Sequence, residues 1–168
     1  MNLREEILRE HSKSQTLKIV NYIGNDKNRF AELMNLFFGN TYRVTQRAAW
    51  VVSNCAEADP ELIKPYLERM LNYLTTPVHD AVKRNTIRTL QDIAIPKRLQ
   101  GKTADICFRF LCSNDETIAV KVFSMTVLHN LSKEHPDLKN ELRIAIEEQM
   151  PYASAGFKSR GKKILKEL

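Results

Sequence analysis

The sequence lacks any apolar run approaching the roughly 18 residues that a membrane-spanning helix needs. Its N-terminus, MNLREEILREHSKS, is charged throughout and lacks the apolar stretch and small-residue cleavage site of a secretory signal. Glycine and proline are sparse, with 5 and 6 copies in 168 residues, and no segment is of low complexity. These absences predict a soluble, cytoplasmic protein that makes no membrane contact.

Cysteine is also scarce, and its spacing does not suggest a metal site. Cys55, Cys107 and Cys112 are an odd and sparse set, which is a poor disulfide framework and agrees with a cytoplasmic location. Cys107 and Cys112 lie five residues apart and His129 and His135 six, so neither pair places two ligands on one helical face. We therefore expect no bound metal, and we expect the cysteines to be small core residues.

Recognisable catalytic motifs are missing as well. Gly101, Lys102 and Thr103 match the end of a phosphate-binding loop, but the earlier glycine of that motif would fall on Pro96 and no predicted strand precedes it. The local signatures of serine hydrolases and zinc proteases do not occur. The sequence therefore predicts no catalytic residue, no cofactor and no enzymatic activity.

What the sequence does contain is a moderate excess of positive charge and enough apolar residues for a core. The 26 Lys and Arg outnumber the 20 Asp and Glu, which gives a formal net charge of +6. This excess favours an acidic partner, although an ordinary solvated surface can have the same composition. A hydrophobic content of 43% in 168 residues predicts one domain that spans residues 1–168.

The sequence repeats itself with a period of 38 residues. The segment HDAVK at 79–83 has an echo in NDETIAVK at 114–121, and after a contraction of one residue the register continues to Phe157. Apolar residues at this spacing should form equivalent core positions in successive units. These positions are Val44, Val82 and Val120 in one series, and Val52, Leu90 and Leu128 in the other.

Within each unit the apolar residues recur at steps of three and four, which predicts helices, and the alternation typical of strands is nowhere sustained. The predicted segments are a leading helical cap at 2–24, broken near Ser12, and helix pairs at 27–56, 60–94, 99–132 and 136–167. Three helix starts are predicted from capping side chains, at Asp59 before Pro60, at Thr76 before Pro77, and at Ser113 with Glu116.

These segments resemble the HEAT repeat family, because second helices enter through an acidic residue followed by Val-Lys, as in NDETIAVK and HDAVK. The resemblance covers residues 27–168. It implies an all-α, right-handed α-solenoid, an armadillo-like superhelix of about four helix pairs. It also implies that the second helices line a concave face that binds proteins or, less often, nucleic acid. Lys162, equivalent to Ile87 and Met125, predicts a polar outer face on the last helix.

One cluster of aromatic and basic residues is a candidate binding site. Trp50 and Asn54 lie four residues apart on a predicted helix and so share a face, and Arg88 follows Trp50 by one period. Such a mixture suits base stacking with phosphate neutralisation, and it equally suits a protein-binding hot spot or simple packing of the indole. The predicted row on the concave face is Arg43, Arg47, Trp50, Asn54, Arg84 and Arg88.

The set Trp50, Asn54 and Arg88 is also similar to an arrangement in HEAT-like alkylpurine DNA glycosylases. That family has a Trp, an Asp four residues later, and an Arg on the next repeat. Here residue 54 is an amide, so the charge that would stabilise an oxocarbenium sugar is missing. We therefore predict a non-enzymatic scaffold that binds a protein or peptide, with an acidic one favoured by the net charge. The alternative is a nucleic-acid-binding protein related to these glycosylases.

Overall fold

The computed structural model describes residues 1–168, and it consists of helices without any strand. This confirms the predicted all-α class. The eleven α-helices are α1 (Leu3–Arg9), α2 (Lys13–Ile23), α3 (Lys27–Phe37), α4 (Tyr42–Ala58), α5 (Pro60–Ile63), α6 (Leu67–Tyr73), α7 (Asp80–Leu90), α8 (Lys97–Cys112), α9 (Ile118–Ser132), α10 (Leu138–Gln149) and α11 (Ala155–Glu167). No helix is both long enough and apolar enough to cross a membrane.

The chain divides into two compact units, Met1–Asp92 and Ile93–Leu168. In the first unit α4 is the central helix, and α1, α2, α3 and α7 all pack against it. Ala48 and Ala49 of α4 are completely buried, and side chains this small let the neighbouring helices approach closely. The grouping of both units into one domain over residues 1–168 stays a prediction.

In the second unit α9 is the central helix, and α8, α10 and α11 pack around it. Val120, Met125, Val127 and Leu128 of this helix are completely buried, because neighbours cover it on several sides. Val82 and Leu90, the equivalents of Val120 and Leu128 in the first unit, are buried as well. The core positions that the 38-residue period predicted are thus confirmed.

The break in the leading cap and one of the three predicted helix starts are confirmed. The chain breaks between α1 and α2, where the Ser12 hydroxyl accepts a hydrogen bond from the backbone N–H of Gln15 at 3.1 Å. Asp59 caps α5, since its carboxylate accepts from the N–H of Glu61 at 3.0 Å. Both caps satisfy donors that the first turn of a helix leaves without a partner.

The other two predicted starts are wrong. Thr76 does not cap α7, which begins at Asp80 after His79, whose Nδ1 accepts from the N–H of Ala81 at 2.9 Å. Ser113 ends α8, and its hydroxyl accepts from the N–H of Asp115, so no capping box forms with Glu116 and α9 begins only at Ile118. Thr76 and Ser113 each make a local hydrogen bond within a loop, and neither hydrogen bond starts a helix.

The first helix of the pair predicted at 60–94, expected over 60–75, is interrupted. A short 3-10 turn over Lys64–Tyr66 separates α5 from α6, and Pro65 lies at its centre. Proline has no N–H to donate to the preceding turn and its ring crowds the carbonyl there, which accounts for the tighter turn.

The last helix has the polar outer face that the sequence predicted. Phe157 and Ile164 of α11 are buried, whereas Lys162 is exposed. The equivalent residues Ile87 and Met125 are completely buried. Lysine at this position thus gives α11 a polar face where the equivalent residues of α7 and α9 are part of the core.

Candidate functional site

A groove of about 750 Å³ lies in the first unit, where α2, α4 and α7 meet. We call it the Trp50 groove. It brings together three residues that the sequence predicted as neighbours, Trp50, Asn54 and Arg88, and α2 supplies its other wall. The complete lining is Lys13, Leu17, Val20 and Asn21 from α2, Trp50, Asn54, Glu57 and Ala58 from α4, and Arg88 from α7.

Trp50 is only partly exposed in this groove. The ring of His11, in the α1–α2 connection, meets it edge to face with 5.2 Å between ring centroids and an interplanar angle of 64°. Such a contact restrains the indole without covering it. Trp50 is therefore neither a core residue nor a freely moving surface side chain.

Asn54 lies one turn after Trp50 and is tied to it. Its side-chain Nδ2 donates a hydrogen bond to the Trp50 carbonyl oxygen at 2.7 Å. An amide has a second N–H and an acceptor oxygen, and these have no partner within the chain. Asn54 can thus donate to and accept from a bound molecule, but it brings no charge.

Arg88 is paired with an acidic residue that the sequence did not single out. Its Nη2 lies 3.2 Å from Oε2 of Glu57, and both side chains are substantially exposed to solvent. Glu57 follows Trp50 by seven residues, which is two helical turns, so the helical period could have placed it on the same face. The groove therefore holds a carboxylate beside its arginine.

The remaining arginines of the predicted row do not line the groove. Arg47 turns to α1, where its Nη1 donates to the carbonyl oxygens of Ile7 at 3.1 Å and Leu8 at 2.9 Å. Arg43 and Arg84 are exposed, and neither makes an ion pair or hydrogen bond within the chain. A contribution of Arg43 and Arg84 to binding stays a prediction.

The groove is lined by both charged and apolar side chains. Lys13 adds a second positive charge, so two cations face the single carboxylate of Glu57. Leu17 is 41% exposed and, with Trp50, provides apolar surface that water covers in the free protein. The sequence could not indicate Lys13 and Leu17, because α2 lies outside the repeat register.

Two of the three cysteines are buried, whereas Cys112 is exposed, so the expectation that the cysteines are core residues is wrong for Cys112. Burial raises the pKa of the Cys55 thiol, in α4, to about 12, and that of Cys107 likewise to about 12. Both thiols are therefore protonated and unreactive at neutral pH. No group of three or more His, Cys, Asp or Glu side chains is arranged so that it could hold a metal ion.

Comparison with known proteins agrees with the helical architecture. A family model described as a HEAT repeat domain matches residues 3–168, which is nearly the whole chain. It includes the leading cap, which the sequence comparison of the repeats had left outside the resemblance. No curated protein matches the chain. The helical fold, the 38-residue period and this match together show that the chain belongs to the HEAT repeat family.

Proposed function

We propose that this HEAT repeat protein is a non-enzymatic scaffold that binds a protein or peptide segment in the Trp50 groove. The observation that carries the proposal is the partly exposed Trp50, held by His11 and flanked by Asn54 and Arg88. A restrained aromatic ring next to polar groups is typical of residues that dominate binding energies at protein interfaces. We further propose that the groove belongs to the concave face that the family implies.

The charge distribution favours a protein partner over nucleic acid. Arg47 donates to α1, and the Glu57 carboxylate neutralises Arg88. Backbone phosphates need several unpaired cations for tight binding, and Lys13 is the one unpaired cation that lines the groove. The apolar surface of Leu17 and Trp50 instead suits a hydrophobic side chain of a partner.

The groups in the groove also define the partner's chemistry. Leu17 and Trp50 would hold one apolar or aromatic side chain, and Asn54 would pair with main-chain N–H and C=O groups beside it. Lys13 makes no ion pair within the chain and would meet an acidic residue of the segment. The expected partner segment is therefore apolar at one position and acidic close by.

A second candidate, nucleic-acid binding with or without release of an alkylated base, is supported by one specific observation. Trp50, Asn54 and Arg88 line the same groove, and Glu57 brings a carboxylate near them. The first three residues, without Glu57, are those on which the resemblance to alkylpurine DNA glycosylases rests. Arg88 is already paired with Glu57, however, which makes this the weaker candidate.

The two candidates can be separated with one set of variants. Peptides of about twelve residues, selected from a random library, would be measured against the parent, Trp50→Ala and Tyr42→Ala proteins, since Tyr42 is an exposed aromatic residue that also meets a histidine ring but lies outside the groove. Because loss of an interface anchor typically costs 2 kcal/mol or more, we expect Trp50→Ala to weaken binding by about 30-fold or more and Tyr42→Ala to change it little. Equal affinity for the parent and Trp50→Ala would refute the proposal.

Nucleic acid would be tested in parallel. A short DNA duplex, with and without an alkylated purine, would be titrated at two salt concentrations. Duplex affinity that falls by about 0.9 logarithmic units per neutralised phosphate for each tenfold rise in salt, and that Arg88→Ala lowers, would establish the second candidate instead. Release of the alkylated base would establish an enzyme.

A further inference from the structure

We infer that the outer face of α11, in the second unit, binds the phosphate backbone of a duplex nucleic acid without regard to base sequence. This inference goes beyond the proposed function, because it concerns another unit and another class of partner. We call the surface the α11 basic face. It consists of the exposed side chains of Lys162, Lys163 and Lys166, with the half-buried Lys158 and Arg160 beside them.

The helix turns its apolar side inward and its lysines outward. Phe157, Gly161 and Ile164 are buried, and steps of four and three residues place them on one side of α11. Gly161 lets α10 come close, since an added Cβ would lie 3.0 Å from Cγ2 of Ile146. The three exposed lysines lie on the opposite side, where α11 exposes no large apolar side chain. The surface therefore offers charge and no apolar contact.

No acidic group neutralises this charge. α11 contains five basic residues and one acidic residue, Glu167, whose Oε2 lies 3.5 Å from Nε2 of His129. Lys158 and Arg160 donate to neutral oxygens, a backbone carbonyl and a threonine hydroxyl. None of the five basic side chains forms an ion pair with a carboxylate. The net positive charge of α11 is thus available to an anionic partner.

The neighbouring α10 does not reverse this balance. Arg143 precedes Ile146 by three residues and so lies on the side of α10 that packs against α11. Glu147 follows Arg143 by four residues and is exposed, but it forms no ion pair with a lysine of α11. One basic and one acidic residue of α10 therefore border the α11 basic face, and its own charge decides the sign.

The imidazole of His129 responds to the same charges. Burial is the largest cause of its lowered pKa, and Lys133, Lys139 and Lys163 lower it further, against the single opposing carboxylate of Glu167. These lysines come from the end of α9, from α10 and from α11. Cations from three parts of the second unit thus act on one ring, which supports a positive potential beside α11.

The composition of the face distinguishes among anionic partners. A protein interface has an apolar centre from which lysine is depleted, and stable membrane attachment needs an inserted apolar group besides basic residues. A single strand is held by aromatic rings on which its bases stack, and the α11 basic face has none. Duplex phosphates need only cations, and contacts to them carry no sequence information. The duplex backbone is therefore the partner that fits.

The test measures binding of a labelled DNA duplex of about 20 base pairs by anisotropy at two salt concentrations. A glutamine triple, Lys162→Gln with Lys163→Gln and Lys166→Gln, removes the exposed charge, and an arginine triple at the same positions keeps it. A control triple removes the same charge from exposed residues elsewhere. Its changes are Lys27→Gln, Lys97→Gln and Arg109→Gln.

We expect the affinity of the parent for the duplex to fall steeply as salt rises. The glutamine triple should lower the affinity by about tenfold or more at the lower salt concentration, and reduce the logarithmic salt slope by about one unit per lysine. The arginine triple should bind like the parent, and the control triple should lose much less affinity. Equal losses in the glutamine and control triples, or no duplex binding by the parent, would overturn the inference.

Competing partners are measured in parallel. They are a single strand of the same sequence, a polyglutamate peptide, and vesicles with and without an acidic phospholipid. Tighter binding of any of these than of the duplex would overturn the inference. Trp50→Ala and Arg88→Ala should leave duplex binding unchanged, which separates this result from both candidates for the Trp50 groove. Duplex binding that Arg88→Ala abolishes and the glutamine triple retains would place the duplex in that groove instead, and would contradict the role of α11.

Discussion

Glu57 and Arg88 form an ion pair across the Trp50 groove, with 3.2 Å between Oε2 of the carboxylate and Nη2 of the guanidinium. Both side chains are well exposed, and exposed pairs of this kind contribute less than about 1 kcal/mol to stability. An incoming carboxylate can therefore displace Glu57 at little cost. If the groove binds an acidic segment as proposed, Glu57 would compete with that segment for Arg88, and the pair would contribute little to the stability of the fold.

This relationship predicts the effect of Glu57→Gln. Removal of the competing carboxylate should strengthen binding of an acidic peptide by about two- to fivefold and make it more sensitive to salt, while the melting temperature stays nearly constant. Titration of a labelled acidic peptide at two salt concentrations measures this. Glu32→Gln, an exposed glutamate on α3, is the matched control. Weaker binding by Glu57→Gln would contradict the role of Glu57 as a competitor.

Replacement of Arg47 by alanine should destabilise the protein, whereas replacement of Arg43 should not. Arg47 donates two hydrogen bonds to carbonyl oxygens near the end of α1, so Arg47→Ala should lower the free energy of unfolding by about 1 to 2 kcal/mol. Arg43, which is exposed and makes no such bonds, should be replaceable by alanine without measurable loss. Denaturant unfolding of both variants tests this, and equal stabilities would contradict the α1 contact.

Contacts between equivalent positions of the repeat could be predicted from the sequence, and contacts with segments outside the repeat could not. Stacked units place equivalent residues at equivalent sites, so the period was sufficient to predict the burial of Val120 and Leu128 and the meeting of Trp50 with Arg88. The bond from Arg47 to α1 was not predictable, because α1 lies outside the period and contacts with it depend on the tertiary fold.

The errors at helix starts have a different cause. A Ser or Thr before a short polar segment can cap a helix, but it can equally close a turn, and the local sequence does not distinguish the two. Ser113 thus ends α8 instead of starting α9. The His79 cap was missed because histidine is not among the usual capping residues, although its Nδ1 accepts the same hydrogen bond.

Replacement by alanine should change the stability of the protein in opposite directions at Gly101 of α8 and at Gly161 of α11. Gly101 has nothing within 4 Å of an added Cβ, so Gly101→Ala should stabilise the protein by about 0.5 to 1 kcal/mol through helix propensity. At Gly161 the added Cβ would lie 3.0 Å from Cγ2 of Ile146 and 3.1 Å from the sulfur of Met150. Overpacking there should cancel or exceed the gain. The melting temperatures of the two variants test this prediction. An equal rise in melting temperature for both would contradict the close packing of α11.

His129 should make stability depend on pH. Burial lowers the pKa of its imidazole, and the ammonium of Lys133 lowers it further. The carboxylate of Glu167 opposes this shift, while Lys139 and Lys163 add smaller effects that also lower the pKa. The unfolded chain then binds more protons than the folded one below pH 6.5, the ordinary pKa of histidine, so the free energy of unfolding should fall as the pH drops below it. The decline between about pH 7.5 and about pH 5.5 should be smaller in His129→Gln. Parallel pH profiles would show that His129 does not titrate as described.

The most direct test of a peptide-binding Trp50 groove uses the intrinsic fluorescence of the protein, since Trp50 is the only tryptophan in the chain. A library-selected peptide without tryptophan or tyrosine would be titrated into the parent protein, and its affinity would be measured separately by polarisation of a label. The account predicts a saturable blue shift of Trp50 emission, because the peptide removes water from the indole, with a midpoint equal to the independently measured Kd. Peptide binding that leaves the emission of Trp50 unchanged would contradict it.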